Sequence, residues 1–354
     1  MLKRKTTHDE ISESKEEVFT KKVAMFGTGN GNVTGSVVSR LPSAGGRSGI
    51  SSSPLPENML WKIVFPSPNT FKNMIKIVAG VLCEANIQLI KSEDFEGLLI
   101  ESLHTSHVCL IIASYSQSIQ CSKNLNVEGE KFKLKTDILK RMLDELDGNT
   151  VLEMYREVDS ADIILRQEND FGLRSQIYTI HTLAEVDKSH NIKDIDSAIG
   201  VDLCVLTMKS FCKTSKDLGA NHVQILVKKW ENKGMEHMCL TLDSDSTSAS
   251  MKYEFYCVIK RDTVAISGNV SENYCIRAVT DGSIGSFEGK ENAEVVFNHK
   301  FSCEYLNCVL RNMERDTIHM SLSQNSPLII KYSLGDDKSD IKVVVSPMIS
   351  TETD

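Results

Sequence analysis

The stretch Gly97-Leu-Leu-Ile-Glu-Ser-Leu103-His-Thr-Ser-His107-Val108-Cys-Leu110, continued by Ile111-Ile-Ala-Ser-Tyr115, decides how the rest of the chain is read. Two β-rich runs, Gly97–Leu103 and His107–Tyr115, flank a short polar step, the pattern of strand, loop and strand. Upstream, Leu60–Phe65 reads as a short strand and Pro66–Thr70 as the start of a helix. Phe71–Leu82 then places apolar residues at 71, 74, 75, 78 and 82, one helical face. Downstream, Lys135–Leu146 predicts a second helix with Ile138, Leu139, Met142, Leu143 and Leu146 inward. Strand-like runs follow at Val151–Met154, Ala161–Arg166 and Gln176–Leu183.

The polar stretch Ala184–Ala198 reads as a linker, after which the same order begins again. A strand at Val201–Thr207 leads into a helix at Met208–Leu218. Strands are predicted at His222–Val227, His237–Leu242, Met251–Ile259, Thr263–Val270 and Tyr274–Val279. A fourth helix at Lys300–Asn312 precedes strands at Thr317–Leu322, Leu328–Leu334 and Lys342–Val345. The chain therefore reads as a structural repeat, in keeping with a length of 354 residues, about two domains' worth. Residues 1–55 stand apart. They hold seven of the twenty glycines, nine serines and few large apolar side chains, a composition expected to stay disordered. Lys3-Arg4-Lys5 and Lys21-Lys22 within them are read as solvated tail charge, with an import signal as the other reading.

The formal net charge is −8, and the tail alone carries +3, which leaves −11 for residues 56–354. Global attraction cannot hold a nucleic acid on such a body, so any contact must come from a local basic surface. All four predicted helices carry one. Lys72 and Lys76 lie four apart opposite the first apolar face, and Lys135, Lys140 and Arg141 lie off the second. Lys209, Lys213 and Lys216 form a stripe on the third, and Lys300, Glu304, Asn307 and Arg311 form one on the fourth. A solvated face explains any one stripe. Four stripes on the four long helices of an acidic protein point to a shared surface for a polyanion.

No apolar run approaches the ~18–20 residues of a membrane helix and no signal-peptide core opens the sequence, so a soluble intracellular protein is expected. The ten cysteines include no Cys-x-x-Cys and sit mostly among apolar neighbours, as in Val108-Cys109-Leu110, so free core thiols are expected rather than a metal or redox site.

Several segments together resemble the sliding-clamp family, the proliferating cell nuclear antigens of eukaryotic and viral type. The Gly97–Leu110 stretch is similar to the family's strand–loop–strand with its Ser-His-Val core, and Cys121-Ser-Lys-Asn-Leu125 follows at the expected distance. Phe211-Cys-Lys213-Thr-Ser-Lys216-Asp217-Leu218 resembles the first helix of the family's second domain, and Tyr305-Leu306-Asn307 its second helix. Pro327-Leu-Ile-Ile-Lys-Tyr332 and Val345-Ser-Pro347-Met-Ile349 close the match.

The resemblance implies an α+β fold with two topologically similar clamp domains, 58–183 and 200–350, joined by a connector at 184–199. In that fold helices line a central channel, antiparallel sheets lie outside, and three chains close head to tail into a ring. It implies a DNA polymerase processivity factor that encircles double-stranded DNA without reading sequence and tethers replication and repair proteins, with no catalysis, cofactor or metal. Implied partners are the chain itself as a homotrimer, a polymerase, a clamp loader and other proteins carrying a clamp-binding peptide. The implied location is the nucleus or a viral replication site.

By position, Lys76, Lys140, Lys213, Lys216 and Arg311 fall on or near the family's channel-lining positions; helical spacing adds Lys72, Lys135, Arg141, Lys209 and Lys300. The implied peptide groove uses Leu103, His107, Val108, Leu110, Pro327, Val344, Ser346 and Pro347, with Ile192 and Ile195 as a lid. The implied subunit interface pairs Gln176–Ile180, including Tyr178, with Tyr274–Ala278, including Ile276. The sequence departs from the family at Val344, where an aromatic is common, at Met348, where a basic residue is common, and at Glu304 within a basic stripe. The connector is longer and more charged than usual.

Two further readings involve binding proteins of the same fold: a subunit of a heterotrimeric checkpoint ring and a monomeric processivity factor. An enzymatic reading starts from Gly27-Thr-Gly29-Asn-Gly31-Asn-Val-Thr-Gly35. It lacks a preceding strand, a following helical period and the Gly-Lys-Ser/Thr ending of a phosphate loop. His104 and His107 have no nearby carboxylate or thiol set and read as groove or packing histidines.

Overall fold

The computed structural model describes residues 55–122, 130–168, 175–183, 199–232, 235–258, 274–277, 292–314, 317–324, 326–335 and 338–348. The tail at 1–54, the glycine-rich stretch within it, the connector at 184–198 and the strand expected at Thr263–Val270 lie outside them.

The first half runs β1 (Met59–Phe65), α1 (Asn69–Ala79), β2 (Glu84–Lys91), β3 (Glu96–Leu103), β4 (Cys109–Ser116) and β5 (Ile119–Cys121). It continues with β6 (Lys131–Lys135), α2 (Thr136–Glu145), β7 (Leu152–Glu157), β8 (Ile163–Glu168) and β9 (Ser175–Ile180). The second half runs β10 (Ile199–Cys204), α3 (Val205–Asp217), β11 (His222–Asn232), β12 (Met235–Asp245), β13 (Ser250–Val258) and β14 (Tyr274–Arg277). It ends with β15 (Glu294–Ser302), α4 (Cys303–Leu310), β16 (Thr317–Leu322), β17 (Leu328–Ser333) and β18 (Asp340–Val345). Among the described residues, each half is strand, helix, five strands, helix, three strands.

The strand orders repeat as well. A five-stranded set β5-β1-β7-β8-β9 in the first half matches β14-β10-β16-β17-β18 in the second, and β4-β3-β2-β6 matches β13-β12-β11-β15. One departure is that β14 runs parallel to β10, whereas β5 is antiparallel to β1. The halves are fused where β18 pairs antiparallel with β4, from Asp340↔Ser114 to Val345↔Cys109. This seam makes one nine-stranded sheet, β14-β10-β16-β17-β18-β4-β3-β2-β6, and residues 53–354 form one unit.

The helices form because their apolar spacing gives each a single buried stripe. Phe71, Met74, Ile75 and Val78 of α1 face inward, as do Met208, Phe211, Cys212 and Ser215 of α3. Ser215 is tolerated there because its hydroxyl donates to the Phe211 carbonyl at 2.8 Å. The strands β2 and β15, which the sequence pattern does not announce, are amphipathic too: Ala85, Ile87 and Leu89 point in from β2, and Phe297 and Phe301 from β15. These side chains join Trp61, Phe65 and Phe132 in one core that runs through both halves. Burial of each large apolar side chain contributes about 1.5–3 kcal/mol. At the start of β3 a Cβ on Gly97 would lie 2.0 Å from the Tyr115 carbonyl oxygen, so the approach of the two backbones requires glycine.

Cys83, Cys109, Cys121, Cys204, Cys212, Cys239, Cys303 and Cys308 are free thiols. Cys109, Cys212, Cys239 and Cys303 are buried, as expected of core thiols, whereas Cys83 is exposed. Burial pushes the Cys109 thiol up to about 12 and raises that of Cys212 as well. Because the thiolate is the reactive form, alkylation of the folded protein at pH 8 should modify Cys83 and spare Cys109 and Cys212 until denaturant is added. Mass spectrometry of the labelled peptides checks this. Early labelling of Cys109 would mean that the seam opens readily.

Candidate helix face and apolar groove

The four helices lie in a row. α2 packs on α1, α1 on α4, and α4 on α3. Across the halves, the Asn312 side-chain amide donates to the Lys76 carbonyl at 2.8 Å, in a close approach that Gly80 permits. The basic stripes of separate helices thus belong to neighbouring elements, as a shared surface requires.

Their cations are not equivalent. Lys213, Lys216 and Arg311 are exposed, and none of them has a carboxylate within ion-pair distance among the described residues. Lys140 donates to Asp144 at 2.6 Å, and Lys76 lies 3.7 Å from the same carboxyl group. Arg141 pairs with Asp137 at 2.6 Å, which holds that carboxyl below its usual range. Such solvated pairs contribute little to stability, but they place compensating charge beside the α1 and α2 cations. Exposed Asp217 and Glu304 flank the α3 and α4 cations without touching them.

Lys72 and Lys209 are half-buried and bonded. The Lys72 ammonium donates to the Leu146 carbonyl at 2.5 Å, and that of Lys209 to the Met313 carbonyl at 2.7 Å. Burial, reinforced by the Lys76 charge, lowers the pKa of Lys72.

Lys135 and Lys300 leave the predicted stripes. α2 starts at Thr136 and α4 at Cys303, so both lysines are strand residues, in β6 and β15. Strand alternation puts Lys135 opposite buried Phe132 and Leu134, and Lys300 opposite buried Phe297 and Phe301. Each is on the outer face of its sheet.

The groove residues converge on the outside of the seam. Register aligns Leu103 with Leu110, Leu110 with Val344, and Val344 with Ile329, one apolar row across β3, β4, β18 and β17. Leu110, Ile329 and Val344 are buried, and Leu103 and Ile112 pack against them, in a cluster separate from the main core. Ile329 and Ile112 are additions that the sequence does not flag; strand alternation puts Ile112 on the face of Leu110, whereas Ile329 enters only through the pairing of β17 with β18.

The β3–β4 loop ends this row. His107 takes a left-handed conformation (φ 58°) at its exposed tip, and the Val108 carbonyl accepts from the Ser346 backbone N–H at 2.9 Å. Ser106 Oγ lies 2.6 Å from Tyr305 Oη and 2.8 Å from His104 Nδ1, so the loop is fastened to α4. One residue past the Leu328–Val345 pair, Pro327 and Ser346 flank the row, followed by half-buried Pro347. Ile192 and Ile195 lie outside the described residues. Leu103 also borders a cavity of about 250 Å³ beside Leu82, Cys83, Glu84, His104, Thr105 and Lys133. Among the described residues, no three His, Cys, Asp or Glu side chains group as metal ligands.

Of the strands expected at a subunit interface, β9 carries Gln176, Tyr178 and Ile180. Among the described residues it pairs with β8 alone, which leaves its other edge open with Ile177 58% exposed. Tyr274 and Ile276 lie in β14, which pairs with β10; Ala278 is outside the described residues. The repeat offers β9 a second candidate partner besides the expected β14. β9 corresponds to β18, and the counterpart of its seam partner β4 is β13, not β14.

Among solved structures, the chain is similar to proliferating cellular nuclear antigen from Entamoeba histolytica, with a TM-score of 0.60 and 13% identity over 82% of this chain and 100% of that chain. No family model and no curated protein matches the sequence. At this identity the likeness establishes the fold, an α+β clamp-like architecture of antiparallel sheets and helices.

Proposed function

We propose that this chain is a sliding clamp, a non-enzymatic subunit that assembles head to tail into a homotrimeric ring around duplex DNA and tethers polymerase, loader and other partner proteins. The observation that carries this reading is the seam. Inside the chain β18 fills the edge of β4, while the matching edges, β9 and β13, stay open among the described residues. Joining β9 of one copy to β13 of the next repeats the same contact between molecules. Such a heterologous contact builds a ring when its rotation closes. With two repeats per chain, three chains supply six.

The helix row supports the other half of the proposal. Lys213, Lys216 and Arg311 present cations on a body that is otherwise acidic, suited to phosphates of any sequence. Ring closure then holds the DNA while the contacts remain weak enough to slide. The apolar row outside the seam supports docking of a peptide with aliphatic or aromatic anchors.

Changing Lys213 and Lys216 together to Ala should reduce the slope of log affinity against log salt by about 0.9 for each phosphate no longer neutralised, equally for any duplex sequence. The native mass should stay at three times 39.5 kDa. An unchanged slope in the double variant would remove α3 from the DNA-facing surface.

A further inference from the structure

Lys72 and Lys209 make the same bond twice. Lys72 directly follows buried Phe71 of α1, and Lys209 directly follows buried Met208 of α3. The acceptors match as well. Leu146 lies three residues past buried Leu143 of α2, and Met313 three past buried Leu310 of α4; both are themselves buried. Each lysine therefore reaches from the first helix of its half to a carbonyl just beyond the second. A buried carbonyl just past the end of a helix has no donor from the helical ladder, and the ammonium supplies one. The halves share little sequence, yet each retains this geometry.

We propose that Lys72 and Lys209 are positioning residues that tie α1 to α2 and α3 to α4, and that phosphate attraction falls to the exposed cations Lys213, Lys216 and Arg311. This rests on the clamp reading only for its second part. A tied ammonium is half-buried and already bonded, so releasing it to a phosphate would leave the Leu146 or Met313 carbonyl without that donor.

Lys72→Met and Lys209→Met each keep the aliphatic stem and remove the donor. Each should lower the thermal midpoint by about 2–4 °C and leave the salt slope on a blunt-ended duplex unchanged. Lys72→Arg, which still donates, should restore the midpoint. The two ties lie in separate halves, so the double variant should show additive shifts. Lys213→Met with Lys216→Met should do the reverse, with a lower slope and an unchanged midpoint. A reduced slope in either tie variant, or a midpoint that does not move, overturns the proposal. If the unaltered protein shows no salt-dependent duplex binding, the clamp reading fails, and the midpoints with the Arg rescue decide the ties alone.

Discussion

Of two single substitutions in β9, Ile177→Pro and Tyr178→Pro, one should reduce the proposed trimer to 39.5 kDa chains while the fold survives. Consecutive strand residues point their N–H groups to opposite sides, one toward β8 and the next toward the open edge. Proline has no N–H. At the position facing β8 it removes a bond within the chain and lowers the melting temperature. At the position facing outward it costs the folded monomer nothing and denies a bond to β13 of the next copy. The pair of variants thus separates assembly from folding without a choice made in advance. Native mass and thermal melting read the result. If both variants keep the threefold mass, β9 is not the joint.

Val108→Asp should weaken docking of a partner peptide by about 30-fold or more, the effect of removing one buried anchor. Val108 stands at the end of the row Leu103, Leu110, Val344 and Ile329, with its carbonyl bonded to Ser346. A carboxylate there stays hydrated only if the anchor stays out. The substitution is outside the main core and away from β9, so native mass and duplex binding should be unaffected. Retained polymerase stimulation by the variant would place the docking surface elsewhere.

Much of this arrangement is legible in the residues. Phe71, Met74, Ile75 and Val78 announce α1 because a helix repeats every 3.6 residues, and the same spacing reveals α3. Leu103, Leu110 and Val344 lie in one apolar cluster. The departures share a cause, which is that spacing along one element says nothing about its neighbours. Lys72 and Lys213 look alike in sequence, and only the position of Leu146 reveals that one is tied. Lys300 reads as helical because Phe301 and Glu304 continue a plausible period, although Phe297 and Phe301 are equally compatible with the strand β15. Strand β2 is hidden between a helix and a stronger strand pair. Ile329 joins the groove through sheet order alone, and so does the correspondence of β13 with β4. Both depend on which strands become neighbours, information distributed over the whole chain.

The β18–β4 seam has a kinetic consequence. Its two strands are held by one polypeptide, so after separating they meet again at a fixed effective concentration, whatever the amount of protein present. A joint between β9 and β13 has no such tether. In the proposed ring, dilution would therefore break only the intermolecular joints, and a loading factor would need to act on half of the six contacts, each identical to the next, while the tethered half stayed joined.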